Sequence, residues 1–275
     1  MINIFYNSVL NIRNSINLLK KKITGIYLVS EPIASKNQYL KIFKKAKLNK
    51  NLEIRGLEKE FGFSIKKKWL DNLALKTQIV KKKSTIDYQH GRLLYSMVRR
   101  ELKKFTKNDN YRILEVGTAR GFSSIVMSKA ISDSNKKGNI ITIDIIPNKK
   151  KIYWNTIDDL KGPQTRENLL KNYKKYTKII KFLTGNSLHI IKKIKFKRFN
   201  FIFLDGNHDF YNVKKEYDLV KKLQKKSDIL LLDDVTIGSF DGIVQLLKII
   251  KKENKYIIRK IISNPVRGYA ILTKK

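Results

Sequence analysis

The chain has 275 residues, 42% of them hydrophobic, and a net charge of +37 from 60 Lys+Arg against 23 Asp+Glu. That is enough length for one or two domains with a buried core, and too much apolar content for a disordered chain. It contains no cysteine, which excludes disulfides, thiolate nucleophiles and cysteine-held zinc.

Charge alone would point to nucleic acid or an anionic membrane surface. The lysines, however, are spread along the chain in short runs, Lys20–Lys22, Lys66–Lys68 and Lys81–Lys83, and Asn and Ile are abundant with them. A compositional bias accounts for this better than a basic patch, so nucleic acid ranks behind a small molecule as partner. Self-association is left open. No apolar run is long enough to span a membrane. Phe5, Val9, Ile12, Ile16 and Leu19 recur at helical spacing, but Asn and Arg interrupt them and no small-residue cleavage site follows. The segment reads as an amphipathic helix packed on its own protein, not a signal peptide, and the expected location is the cytoplasm.

Residues 1–83 read as a basic, mostly helical extension without a motif. Within them, EFGFSIKKKWLDNLALKTQIV contains a helix with Trp69, Leu70, Leu73 and Leu75 on or near its buried face. Residues 84–275 read as a separate α/β domain. HGRLLYSMVRRELKKF carries Leu93, Leu94, Met97, Val98 and Leu102 at helical spacing. Strands and helices then alternate: RILEVG, SSIVMSKAIS, NIITIDI, RENLLKNYKKY, IIKFLTG, a short helix near SLHIIKKI, FNFIFLDG, VKKEYDLVKKL, DILLLDDV and GIVQLLKIIKK. KYIIRKIIS and GYAILTK close the chain as two strands joined by an Asn-Pro turn. Alternation with helical crossovers predicts an α/β, Rossmann-like fold. Its sheet has seven mostly parallel strands, ending in an antiparallel hairpin.

Ligands in such sheets bind beyond the carboxyl ends of the strands. Those ends carry Glu115 and Gly117, then Asp144, then Asn186 and Ser187, then Asp205, then Asp233 and Asp234. Asp144 stands 23 residues past Gly121, where an acid can hold ribose hydroxyls. The loop is Gly117-Thr-Ala-Arg-Gly121, not GxGxxG, which suits a nucleoside with an amino-acid tail better than a dinucleotide pyrophosphate. A hard divalent cation prefers carboxylate oxygens. Taken singly, Asp205-Gly could also be a turn and Asp233-Asp234 a helix cap.

LEVGTARGFSS, ITIDIIP, LTGNS, FIFLDGNH and LLLDDV, in this order, resemble the class I S-adenosylmethionine methyltransferases. More narrowly, they resemble the metal-dependent O-methyltransferases of the catechol and caffeoyl-CoA type and their bacterial sugar-modifying relatives. The resemblance implies that Glu115, Gly117, Gly121 and Ser123 hold the methionine part of the cofactor. Asp144 would hold the ribose, Ser187 would lie beside the adenine, and Asp205 would also border the cofactor. It implies Asp205, Asp233 and Asp234 as ligands of a divalent metal, Mg²⁺ first, with Mn²⁺ or Ca²⁺ as alternatives. His208, three residues after Asp205, stands at the catalytic-lysine position of the catechol-type enzymes and is the candidate base. His189 reads as structural and His90 as a cap or loop residue. STIDYQHG occupies the place of the family's cofactor-covering loop without its Met-Asn pair. The activity implied is methyl transfer to a hydroxyl of a small molecule or sugar. Two alternatives are an RNA methyltransferase and a non-catalytic cofactor-binding protein. Against the first, the chain lacks an Asn/Asp-Pro-Pro-aromatic motif.

Overall fold

The computed structural model describes residues 31–264 and 267–275. The helix expected around Phe5–Leu19 and the turn at Pro265–Val266 lie outside the described residues. Among the described residues, four helices precede the first strand: α1 (Lys36–Ala46), α2 (Leu52–Phe61), α3 (Lys67–Thr77) and α4 (His90–Leu102). Local chemistry sets several of their ends. The Ser35 hydroxyl accepts from the Gln38 N–H while the Gln38 side chain accepts from the Ser35 N–H, which starts α1. Asn51 caps α2, and Gly62 ends it in the left-handed region.

The sheet is built from β1 (Asn110–Val116), β2 (Lys137–Asp144), β3 (Ile180–Thr184), β4 (Phe201–Leu204), β5 (Ile229–Leu232), β6 (Tyr256–Asn264) and β7 (Arg267–Lys274). Their order is β3-β2-β1-β4-β5-β7-β6. The first five are parallel; β7 runs antiparallel to both β5 and β6. Helix α5 (Phe122–Asp133) joins β1 to β2, and α6 (Ser187–Lys193), α7 (Phe210–Val220) and α8 (Asp241–Glu253) follow β3, β4 and β5. The reversal of strand order between β1 and β4 opens a crevice at their carboxyl ends. One expectation changes: RENLLKNYKKY is not one helix but two single turns, Arg166–Leu169 and Lys174–Thr177, around a 3-10 turn. The break falls at Leu170, which packs so tightly on Gly121 that a Cβ there would lie 2.8 Å from its Cδ1.

Alternate residues of each strand face opposite sides of the sheet. Ile113, Phe201, Phe203, Ile229, Leu231 and Ile271 join the core under α4 and α5. Leu114, Val116, Ile202, Leu204, Leu230 and Leu232 join a second core with Ile191, Val213, Tyr217, Leu246 and Ile250 of α6–α8. Burial on both faces is why FIFL and ILLL are wholly apolar. Tyr39, Ile54, Leu57, Leu70 and Leu73 of α1–α3 lie in the first of these cores. The helices before residue 83 therefore share one interior with the sheet.

Candidate active site

The loop after β1 is shaped by contact with β4. Gly117 has φ +100°, and a Cβ there would sit 2.0 Å from the Asp205 carbonyl oxygen, so no side chain fits. Ala119 also takes a positive φ of 47°, a conformation that costs about 1–2 kcal/mol outside glycine. Asp144 holds it: Oδ2 accepts from the Ala119 N–H at 2.6 Å, and Oδ1 from the Ile146 N–H at 2.8 Å. Arg166, only 2% exposed, fastens the same two segments from the other side. Its Nε donates to the Ala119 carbonyl at 2.9 Å and its Nη2 to that of Ile146 at 3.2 Å. Burial pulls this guanidinium down to about 10, against the nearby Asp144 and Glu115.

Glu115 is completely buried. Its carboxylate accepts from the hydroxyls of Ser123, Ser124 and Thr142. Burial raises its pKa, and the three hydroxyls oppose the rise without cancelling it. This cluster ties the first turn of α5 to β1 and β2.

Beyond these loops lies a cavity of about 320 Å³. Its lining includes Gly117, Ala119, Asp144, Ile145, Ser187, Leu188, Asp205 and Glu216. Of the residues expected at the cofactor, Gly117, Asp144, Ser187 and Asp205 line it. Glu115, Gly121 and Ser123 do not: they stand behind the loop and fix its shape. A larger hollow, about 910 Å³, runs along β3 and contains no acid. Its volume does not make it the reactive site, because the chemistry-bearing side chains are elsewhere.

At the ends of β4 and β5 the acids gather. Asp205, His208 and Asp234 each present a ligand atom within 4.8 Å of the others. His208 Nε2 lies 3.1 Å from Asp234 Oδ2, and its ring packs on Phe240 at 4.7 Å between centroids. The loop bearing His208 is pressed by α8, where a Cβ on Gly242 would lie 2.3 Å from the His208 carbonyl oxygen. Asp234 takes φ +55°, which turns its side chain towards His208 and away from Asp233.

This cluster differs in membership from the expected set Asp205, Asp233 and Asp234. Asp233 is fully buried behind Asp234. Its Oδ2 lies 3.2 Å from Arg267 Nη2 and its Oδ1 accepts from the Asp234 N–H at 2.7 Å. His208 takes its place in the group. Arg267 Nε is 3.4 Å from Asp234, and its Nη1 donates to the Asp87 carbonyl at 2.9 Å.

Three carboxylates thus share one guanidinium, and their charges compete. Burial pushes Asp205 well above the usual carboxylate range, and Asp233 and Asp234 push it further. Burial raises Asp233 as well, despite Arg267. Burial opposes ionisation of Asp234 too, but His208 and Arg267 outweigh it and hold the group low. The surplus of oxygen ligands over positive charge fits a hard divalent cation.

Sequence reasoning missed Arg166, Arg267 and Glu216. Each acts across a long sequence separation and carries no motif. Of the other histidines, His189 is exposed on α6. His90 opens α4, buried against Phe122; burial holds its pKa well below the ordinary value, with Arg267 adding to the effect.

A family described as "Methyltransferase domain" matches residues 114–235. No curated protein matches the chain. Among solved structures, it is similar to the O-methyltransferase TomG from Streptomyces achromogenes in complex with SAM. Identity is 15%, coverage 95% of this chain and 96% of that one, and the TM-score 0.51. It is also similar to an O-methyltransferase from Bacillus cereus in complex with SAH, at 17% identity, 86% and 96% coverage and TM-score 0.51. A SAH-bound methyltransferase of Podospora anserina gives 15% identity, 90% and 100% coverage and TM-score 0.51. At these identities the likeness is one of fold. The family match spans β1–β5, and both it and the shared fold agree with the strand-end residues described above.

Proposed function

We propose that the protein transfers the methyl group of S-adenosylmethionine to a hydroxyl oxygen of a small molecule or sugar, assisted by a divalent cation. The observation that carries this reading is the position of Asp205. It borders the cavity and belongs to the acidic group, so a cofactor in the first would direct its methyl end towards the second.

Each Asp144 oxygen already accepts one backbone N–H and keeps a lone pair for a ribose hydroxyl. Ile145 and Leu188 offer apolar walls to a base. The Gly117–Ala119 backbone borders the end nearest Asp205, where the methionine part belongs. Glu115, Ser123 and Arg166 hold these loops in place, so cofactor and acceptor would meet in line without a further ordering cost. Asp205 and Asp234 would hold the cation. When bound, it supplies positive charge that lowers the pKa of the acceptor hydroxyl. With Nε2 facing Asp234 and the ring packed on Phe240, His208 has Nδ1 left to take the hydroxyl proton.

The three clustered ligand atoms favour a second reading of one residue, in which His208 is itself a ligand. Labelled cofactor, screened against hydroxylated sugars and phenols, tests the whole assignment. Turnover should stop with EDTA and return with Mg²⁺ or Mn²⁺, while cofactor binding persists. Full turnover in EDTA after exhaustive dialysis would reduce the acids to turns and caps. Methyl incorporation into RNA at physiological salt, with none into hydroxylated small molecules, would replace the acceptor class.

A further inference from the structure

We propose that Glu216 reads the base of the cofactor: its carboxylate accepts a hydrogen bond from the exocyclic amine of adenine and rejects a purine bearing a carbonyl at that position. This rests on the cofactor reading above.

Glu216 lies in the middle of α7, on no strand end. It is 3% exposed, yet it lines the 320 Å³ cavity. Its two oxygens have different circumstances. Oε1 accepts the hydroxyl of Ser187. Oε2 is buried and has no hydrogen-bond partner among the described residues. Leaving a buried acceptor unpaired is unfavourable, more so for a charged one. The neighbouring Asn212 does not relieve it: its N–H and Nδ2 donate to Asp209 at 3.0 and 2.7 Å. A ligand in the cavity that brings a donor would.

The cavity limits what that ligand can be. Asp144 marks the ribose end. Past it, Ile145 is 42% exposed beside the cavity, an apolar surface a flat ring would cover, and Leu188 is also among the lining residues. Ser187 and Glu216 then stand at the far edge of such a ring. Adenine carries a single N–H donor group on its edge, the exocyclic amine; its remaining ring nitrogens accept. An ionised carboxylate only accepts, so the two groups match in one orientation. Hypoxanthine has a carbonyl oxygen in place of the amine, and two acceptors would then face each other.

The test is calorimetry of the full chain at pH 8 with S-adenosylhomocysteine and its hypoxanthine counterpart, S-inosylhomocysteine. The wild type should bind the adenine ligand about 10- to 100-fold more tightly, the scale of one charge-assisted hydrogen bond lost. Glu216→Gln keeps the side chain's shape, and its amide can turn to donate to the carbonyl. It should narrow the preference about tenfold or more. Glu216→Ala should narrow it as well, by removing both acceptors. Equal affinity of the wild type for the two ligands, or a preference unchanged in both variants, would overturn the proposal and leave Glu216 as an anchor for Ser187. A wild type that binds neither ligand overturns the cofactor reading, and this one with it.

Discussion

The crevice at the top of the sheet has two halves that handle charge in opposite ways. On the β1–β3 side the acids are answered within the protein: Asp144 by two backbone N–H groups, Glu115 by three hydroxyls. On the β4–β5 side three carboxylates crowd together near Arg267, and Asp205 is driven towards protonation. Hydrogen bonds shape the first half, with Arg166 strapping its loops. Close packing shapes much of the second, with α8 pressed on the His208 loop at Gly242. A preorganised, satisfied surface suits a ligand that must be positioned. A cluster held together against its own repulsion suits a ligand that brings positive charge, and poises groups for proton transfer.

The most severe test of this contrast is His208→Ala. If the second half does the chemistry, kcat should fall about 10²- to 10⁴-fold while S-adenosylhomocysteine affinity, read by calorimetry, stays as in the wild type. Loss of metal affinity in that variant would make His208 a ligand instead of the base, and a normal rate would place the base elsewhere.

Glu216 blurs the boundary between the halves, since it is an acid of the first half left incompletely answered. Burial pushes its carboxyl up to about 7, against the opposing hydrogen bond from Ser187; Asp209 adds to the rise and His208 opposes it. The folded chain therefore binds a proton there that the unfolded chain has lost. Its contribution to stability is full below pH ~4.3 and disappears as pH rises to about 7, a difference of roughly 3 kcal/mol. Urea unfolding at pH 5 and pH 8 should show part of this fall in the wild type. Glu216→Gln should remove it, and identical slopes for both proteins would assign the effect to other groups.

Asp144→Ala tests the first half. It removes the acceptor for two backbone N–H groups and for the ribose, and should weaken S-adenosylmethionine by tens of fold, at about 1.5–3 kcal/mol per charge-assisted bond. Divalent-metal affinity should be untouched. Unchanged cofactor affinity in a folded variant would sink the ribose assignment.

Gly242→Ala is the mildest. The new methyl must push back the backbone from His208 to Phe210, which should lower kcat about tenfold and leave cofactor affinity alone. An unaltered kcat would mean that the loop adjusts freely and that His208 is not held by packing.

Much of the fold was legible in the sequence because its causes are local. Apolar runs such as FIFL and ILLL mark strands buried on both faces, and helical spacing in HGRLLYSMVRREL marks a helix. Order along the chain then limits the topology, since parallel crossovers have one hand. The strand-end rule likewise put Asp144, Ser187, Asp205 and Asp234 in the crevice before any coordinates. RENLLKNYKKY failed as a single helix because the packing of Leu170 on Gly121 is a contact between distant segments, and periodicity carries no record of it.

Which atoms of the site face which partner was a tertiary decision. Asp233 and Asp234 are adjacent and chemically identical, yet one is buried against Arg267 and the other turns to His208. Arg267 touches both; what separates them is a backbone rotation at Asp234 that leaves only its carboxylate facing His208. Glu115 and Ser123 carry the expected motif but spend their hydrogen bonds on each other. Glu216 carries no motif and reaches the cavity because α7 packs beneath the start of α6. Sequence fixes a residue's chemistry and the strand end it occupies, because both follow from short-range pattern. Its partner, its burial and hence its charge state are set by segments far along the chain, and only the folded packing brings those together.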